Sequence, residues 1–311
     1  MFRRANMKLG LIGLGRMGAN MARRLRTKGI DVVGYNRDGQ VTRALAKEVG
    51  ITAAFDIRQL VAALPAPRAV WLMLPAGAVT EEHIESLIPL LATDDILVDG
   101  ANSYYKDSMR RAKMLAQKRV HYIDAGVSGG VWGRENGYAL MLGGAAEAVK
   151  QLEPALKALA PAPDKGWLHC GPTGAGHFVK MVHNGIEYGM MQAYAEGFAL
   201  MKARPDLTID LAAVAELWRH GSVVRSWLLD LTADFLAKDQ SLASIRPIVA
   251  DSGEGRWTAI EAVEQGVPAP VMSLALMMRF ASQGKSDYGD RMLAMMRQSF
   301  GGHATKSTTD G

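Results

Sequence analysis

Short, nearly unbroken apolar runs recur through the first half of the chain, at 8–13, 31–35, 69–74, 96–99 and 120–125. Runs of this length bounded by turn formers predict strands buried on both faces. Between them the apolar positions return with a helical period, predicting helices over 17–28, 40–49, 57–64, 80–91 and 106–118. Strands alternating with amphipathic helices predict a parallel sheet covered on both sides. A run at 138–142 and a helical stretch at 145–159 extend the pattern, and Pro161-Ala162-Pro163 closes it.

From Gly174 the pattern changes. Helical periodicity holds over 174–203 and stops before Pro205, and further helices are predicted at 209–220, 224–236, 256–265, 271–283 and 288–299. No strand pair is predicted there. The reading is an α/β N-terminal doubly wound domain over 1–172, followed by an all-α C-terminal domain over 173–311. The Met and Ala content of the second domain suits close helix packing, including packing with another subunit.

The first strand runs into Gly13-Leu14-Gly15-Arg16-Met17-Gly18, and a helix follows. In that setting the first glycine permits a tight turn, the second lets the backbone approach a pyrophosphate, and the third allows close helix–strand packing. The free N–H groups and dipole of the helix start favour the negative charge. The first domain is therefore expected to be Rossmann-type and to bind a dinucleotide. Asn36 stands at the end of the second strand, where the adenosine ribose is usually met, with Arg37 and Asp38 beside it. Asp38 either accepts from ribose hydroxyls, which disfavours a 2′-phosphate, or caps the next helix. Arg37 either stacks on adenine or pairs with that phosphate. NAD is favoured, with NADP the alternative.

On the long helix Lys180, His183, Asn184, Glu187 and Tyr188 fall within an arc of roughly 140°. Phe178, Val182, Ile186 and Gly189 take the opposite side. The side that would ordinarily face water thus carries an amine, an imidazole, an amide, a carboxylic acid and a phenol. Gly185 and Gly189 weaken this helix by about 1 kcal/mol each, which makes sense where a ligand or a neighbouring helix comes close. Two further segments follow strand ends, where ligands bind in open α/β sheets. They are Asp99-Gly100-Ala101-Asn102-Ser103 and Asp124-Ala125-Gly126-Val127-Ser128-Gly129-Gly130. The paired glycines of the second can turn backbone N–H groups toward a carboxylate.

Charge and composition narrow the class. The net charge of +5 is spread without a Lys/Arg block, which argues against nucleic acid as a partner. No run approaches the length of a membrane span, and MFRRAN leads into a glycine-punctuated strand rather than a signal-peptide core. The single cysteine, Cys170, excludes an internal disulfide and fits a reducing, cytoplasmic setting. The seven histidines show no metal-ligand spacing, and no metal is expected.

These residues resemble the decarboxylating 6-phosphogluconate dehydrogenases, within the wider β-hydroxyacid dehydrogenase superfamily. The resemblance runs through GLGRMG at 13–18, LPAG at 74–77, DGANS at 99–103, DAGVSGG at 124–130 and GAGHFVKMVHNGIEYGMMQAYAEG at 174–197. The superfamily accounts for the glycine turn, the SGG segment, Lys180 and Asn184. His183, Glu187 and Tyr188 point to the phosphogluconate branch, as do Arg279, Arg297 and the tail Phe300-Gly301-Gly302-His303. The length suits the shorter bacterial form, which is commonly linked with NAD. Two features depart from the long form. Asp251–Trp257 is shorter and lacks a phosphate-contacting lysine, with Arg256 the candidate replacement, and the C-terminal domain is smaller.

The resemblance implies a substrate that is a small anionic phosphorylated sugar acid, oxidised at C3 and decarboxylated. Lys180 is implied as the base for the C3 hydroxyl, a role that needs a depressed lysine pKa, and then as the ammonium that stabilises the ketone oxygen while CO2 leaves. Glu187 is implied as the acid that protonates C1 of the enediol. Ser128, Gly129 and Gly130 would hold the carboxylate; Asn102, His183 and Asn184 the hydroxyls; Tyr188, Arg279 and Arg297 the phosphate. Leu74, Pro75, Ala76 and Asn102 join Gly13–Gly18 and Asn36–Asp38 at the cofactor. Arg297 and His303 would enter a neighbouring subunit's site, implying a homodimer or larger assembly. Without the family, Arg297 is simply a cation at a helix end. The rival activities are oxidation of a 3-hydroxyisobutyrate-like acid without decarboxylation, and dinucleotide sensing without catalysis.

Overall fold

Eight strands form the core of the first half of the chain. In the computed structural model, which describes residues 7–301 and side chains over 7–299, they are β1 (Lys8–Ile12), β2 (Asp31–Tyr35), β3 (Thr52–Ala54), β4 (Ala69–Leu72), β5 (Ile96–Asp99), β6 (His121–Ser128), β7 (Ala139–Gly143) and β8 (Trp167–Gly171). They form one sheet in the order β3-β2-β1-β4-β5-β6-β7-β8. Ile12 pairs with Tyr35 on one side and Leu72 on the other. The turns after β1, β2 and β4 therefore emerge side by side, where the strand order reverses. That is where open α/β sheets bind ligands.

Along the strands alternate residues enter two separate cores. Leu9, Leu11, Ala69, Trp71, Ile96 and Val98 face one layer. Ile12, Val70, Leu72 and Leu97 face the other. The covering helices are α1 (Arg16–Thr27), α2 (Gly39–Val49), α3 (Ile57–Ala62), α4 (Ala78–Leu87), α5 (Tyr105–Ala116), α6 (Gly133–Asn136) and α7 (Ala146–Leu159). Each fully buried Leu or Ile stabilises by about 1.5–3 kcal/mol, so both faces hold the sheet.

The sheet departs from the purely parallel expectation at one place. β6 and β7 pair antiparallel, because the link over 129–138 is shorter than the dozen or so residues a parallel crossover takes. Two strands escaped the sequence pattern. β3 is a three-residue Thr-Ala-Ala segment with no large apolar side chain. β8 follows the proline pair and is only half-buried.

The described residues divide into two compact units, one ending at Met181 and the other beginning at Val182. The boundary expected at 172/173 falls just before α8 (Ala175–Lys202), whose first turns belong with the sheet. The second unit continues with α9 (Leu211–Trp218), α10 (Trp227–Leu236), α11 (Glu254–Gln265), α12 (Pro270–Ser282) and α13 (Asp287–Gly301), with no strand among its described residues. Asp210 and Ser226 cap α9 and α10 by accepting from Ala213 N and Leu229 N. Phe198, Leu211, Ala215, Leu229, Ala233 and Leu236 make one core there, and Tyr188, Ala275 and Leu276 a smaller one. No helix of the described residues is long and apolar enough to cross a membrane.

Candidate active site

The turn after β1 is built for an anion. Gly13 takes φ +91°, a conformation costly for other residues, and a Cβ there would overlap the Met73 carbonyl. A Cβ at Gly18 would overlap the Gly13 carbonyl, whereas one at Gly15 would meet nothing. So Gly13 and Gly18 are demanded by packing, and Gly15 opens onto free space. Arg16 begins α1, and its N-cap, Gly15, offers no side-chain cap; no acidic residue stands in the first turn. The uncapped N–H groups and the dipole suit a diphosphate.

Asn36 locks this turn to β2: its Oδ1 accepts from Leu14 N at 3.0 Å, and its own N–H donates to Thr42 Oγ1 at 3.2 Å. Asp38 caps α2 by accepting from Gln40 N at 2.9 Å, and both it and Arg37 are exposed. Met17 and Leu74 are half-buried, while Arg16, Pro75 and Ala76 are exposed. The residues expected to hold a dinucleotide thus gather at the ends of β1, β2 and β4, and they fit one.

After β5, Asn102 is exposed between two buried neighbours, Ala101 and Ser103. The turn is organised by Asp99, whose buried carboxylate accepts from Ala101 N at 3.1 Å and Ser103 Oγ at 3.1 Å. After β6, Ser128 is half-buried, and Gly129 and Gly130 take φ +135° and +53°. The loop behind them is held to α1. Asn20 Nδ2 donates to Val131 O at 3.2 Å. Arg24, 7% exposed, donates to the carbonyls of Arg134, Glu135, Ala158, Leu159 and Ala160.

Along α8 three polar residues are buried while three large apolar ones are exposed. Lys180 and Asn184 are each 8% exposed and Tyr188 5%, while Val179, Ile186 and Met190 are 40%, 53% and 38% exposed. Of the chemistry-bearing stripe, Lys180, Asn184 and Tyr188 are buried while His183 and Glu187 are half-exposed; on the other side Ile186 is exposed and Phe178 and Val182 are half-buried. Asp124 anchors the helix start, its carboxylate accepting from Gly174 N at 2.7 Å and His177 N at 2.8 Å. Gly126 lets β6 pass under Lys180, since a Cβ at 126 would overlap the Lys180 Cβ. The helix glycines have the reason the sequence asked for: a Cβ at Gly185 would lie 2.7 Å from Thr258 Cγ2, and one at Gly189 3.3 Å from Val271 Cγ1. Neighbouring helices, α11 and α12, come that close.

Further along, His183 Nδ1 lies 3.1 Å from Asn184 Oδ1 and 3.9 Å from a carboxylate oxygen of half-exposed Glu187. The Arg279 guanidinium stacks 3.4 Å from the Tyr188 ring centroid and donates to Ala250 O at 2.8 Å. Tyr188 OH lies 3.3 Å from Ser252 Oγ. Arg256 donates to Asp251 at 2.7 Å and lies over Phe280. Burial works against the Asp251 carboxylate, but the Arg256 hydrogen bond, Gly253 N–H and the charges of Arg256 and Arg279 outweigh it and lower its pKa. Tyr188 and Arg279 are therefore together, with Arg256 joined to the same loop. Arg297 is exposed on α13, and His303 lies outside the described residues. Burial pushes the Cys170 thiol up, in keeping with an unreactive cysteine.

Sequence reasoning passed over Arg111, and it marked the segments holding Asp99, Asp124 and Gly126 without giving those three residues a role of their own. The signal for the aspartates was a carboxylate closing or lying within an apolar strand, with a glycine one or two residues on. A buried carboxylate at such a place must find donors.

Two family models match in tandem: the NAD binding domain of 6-phosphogluconate dehydrogenase over residues 8–171, and the 6-phosphogluconate dehydrogenase C-terminal domain over 176–309. The chain is 40% identical over 306 residues to the NAD(+)-dependent, decarboxylating 6-phosphogluconate dehydrogenase of Haloferax volcanii, covering 98% of this chain and 100% of that one. It is 38% identical to the NADP(+)-dependent, decarboxylating enzyme of Bacillus subtilis, covering 91% of this chain and 63% of that longer one. Among solved structures, Plasmodium falciparum 6-phosphogluconate dehydrogenase superposes with a TM-score of 0.83 at 32% identity, over 94% of this chain and 65% of that one.

Proposed function

The chain belongs to the 6-phosphogluconate dehydrogenase family, and from that premise we propose that it oxidises 6-phosphogluconate and releases CO2, yielding ribulose 5-phosphate. The observation that carries this reading is the burial of Lys180, Asn184 and Tyr188 along one side of α8, with His183 and Glu187 half-exposed between them. Burying an amine and an amide is costly, and a substrate rich in hydroxyls and negative charge gives the burial a purpose.

Gly13–Gly18, Asn36–Asp38, Leu74–Ala76 and Asn102 would hold the dinucleotide, which would supply a hydride acceptor when bound. Lys180 takes the C3 hydroxyl proton as that carbon is oxidised. The resulting carbonyl is β to the carboxylate, so electrons from the breaking C–C bond flow toward its oxygen, which the Lys180 ammonium stabilises and protonates. Glu187 then delivers a proton to the carbon that lost CO2, C1 of the enediol, while Lys180 takes back the enol O–H proton to leave the ketone. Ser128, Gly129 and Gly130 hold the carboxylate before it leaves, Asn102, His183 and Asn184 orient hydroxyls, and Tyr188 and Arg279 take the phosphate, with Arg256 beside them. Arg297 and His303 are assigned to a neighbouring subunit's phosphate site.

NAD is the preferred partner, because the exposed Asp38 carboxylate at the end of β2 repels a 2′-phosphate. A homodimer or larger assembly accords with the exposed apolar residues of α8, such as Ile186, and of α12 and α13, where Val271, Leu274, Leu293 and Met296 are exposed. One cysteine in the chain suits the cytoplasm. The decisive assay follows nicotinamide reduction and CO2 together, with 6-phosphogluconate and either NAD or NADP. Equal yields with a higher kcat/KM for NAD are expected. Reduction without CO2 would favour a 3-hydroxyisobutyrate-like activity, and silence with both cofactors would leave only a binding role.

A further inference from the structure

Behind the Asn102 turn lies a buried polar chain that no substrate or cofactor role accounts for. Arg111, 1% exposed, donates to Asp99 Oδ2 at 2.9 Å and to Ser103 Oγ at 3.0 Å, and its Nε donates to Glu81 at 2.8 Å. Tyr122 OH donates to the same Asp99 oxygen at 2.7 Å. Ser108 is hydrogen-bonded to Tyr122 and lies 2.7 Å from His177 Nδ1. His177 is 1% exposed on the first turns of α8, three residues before Lys180.

Proton counting gives the chain a direction. Tyr122 has one proton and spends it on Asp99, so its oxygen accepts from Ser108, whose hydroxyl also lies 3.5 Å from the Tyr104 carbonyl. The Ser108 oxygen then accepts from His177 Nδ1–H, fixing that tautomer. Each hydroxyl serves as donor on one side and acceptor on the other, an arrangement in which neighbouring bonds strengthen one another. One end of the chain shapes the turn that presents Asn102; the other grips the helix that carries Lys180. Packing follows the same path, with Tyr105 and Phe178 edge to face at 5.2 Å between ring centroids.

We propose that the buried chain Arg111–Asp99–Tyr122–Ser108–His177 is a positioning device for the oxidation step, holding the Asn102 turn and the Lys180 helix at a fixed spacing before any ligand arrives. Asp99, Tyr122 and His177 are positioning residues that never touch substrate. The proposal rests on the activity assigned above for its kinetic readout but not for its structural one.

Tyr122→Phe is the sharpest test, because it removes one hydroxyl from the middle of the chain and keeps the ring. The expected result is a kcat lowered roughly tenfold to a hundredfold by misalignment, with both KM values little changed. The isotope effect from deuterium at C3 should rise. In the ligand-free chain, amide exchange should quicken at 99–103 and at 174–178 together, while the rest of the sheet stays protected. Ser108→Ala should quicken exchange at 174–178 alone. Asp99→Asn should reproduce Tyr122→Phe where it folds. Wild-type kcat and exchange in Tyr122→Phe would overturn the proposal, as would faster exchange spread evenly over the sheet. If the wild-type chain fails to turn over 6-phosphogluconate, the assigned activity falls, and the paired exchange readout still decides the positioning claim.

Discussion

At the scale of single residues, the positions that matter most are those where a neighbour has no room to yield. Gly126 is one: Lys180 Cβ occupies the space a methyl would need. Gly126→Ala should push the helix off β6, with an overpacking cost of about 1–3 kcal/mol and a disproportionate fall in kcat, read by thermal unfolding and steady-state rates on the same sample. Lys180→Met should abolish nicotinamide reduction while dinucleotide binding, followed by fluorescence titration, persists. Glu187→Gln should leave oxidation in place and slow the proton delivery that follows, so a burst of reduction should precede a slower steady rate. Normal rates in both variants would remove them from the mechanism. These two were legible in the sequence because they share a helix face with His183, Asn184 and Tyr188. Gly126 was not, since a glycine in a strand announces close approach without saying what approaches.

At the scale of elements, α4 and α5 are clasped by charge. Glu81 accepts from Arg110 at 2.6 and 2.7 Å and from Arg111 at 2.8 Å. The Arg110 hydrogen bonds, with Arg111 behind them, outweigh burial and hold the Glu81 carboxyl at about 2 instead of its ordinary 4.5. Its folded pKa is depressed, so the stability it adds is complete above pH about 4.5 and is lost as pH falls toward about 2. Glu81→Gln should therefore unfold more easily than the wild type at neutral pH, and the gap should close on acidification; denaturation curves across that range check it. The elements themselves were mostly readable, because long amphipathic helices and fully buried strands carry strong periodic signals. β3 and β8 were not: one lacks large apolar residues and the other is half-exposed at the sheet edge. The antiparallel turn of β7 was legible only in hindsight, from the length of the link before it.

At the scale of the whole molecule, the division into a doubly wound α/β unit and a helical one was legible from a change of period near Gly174. It did not reveal which side of α8 faces inward, because periodicity finds a stripe but cannot tell burial from exposure when both stripes have a use. The outward apolar residues lead to a prediction about assembly. Ile186→Glu places a charge on the exposed face of α8 and should raise the dissociation constant of the proposed subunit assembly about thirtyfold or more, seen as a shift toward monomer in sedimentation. An unchanged dimer would place the interface elsewhere. Arg24 carries a different consequence. Every partner it has is a peptide oxygen, and none of those can be neutralised by acid or displaced by added ions. While the Glu81 clasp lets go in acid, the staple from α1 to α6 and the end of α7 stays shut, so the corner proposed to take the carboxylate should be the last part of the sheet to loosen as the solution sours.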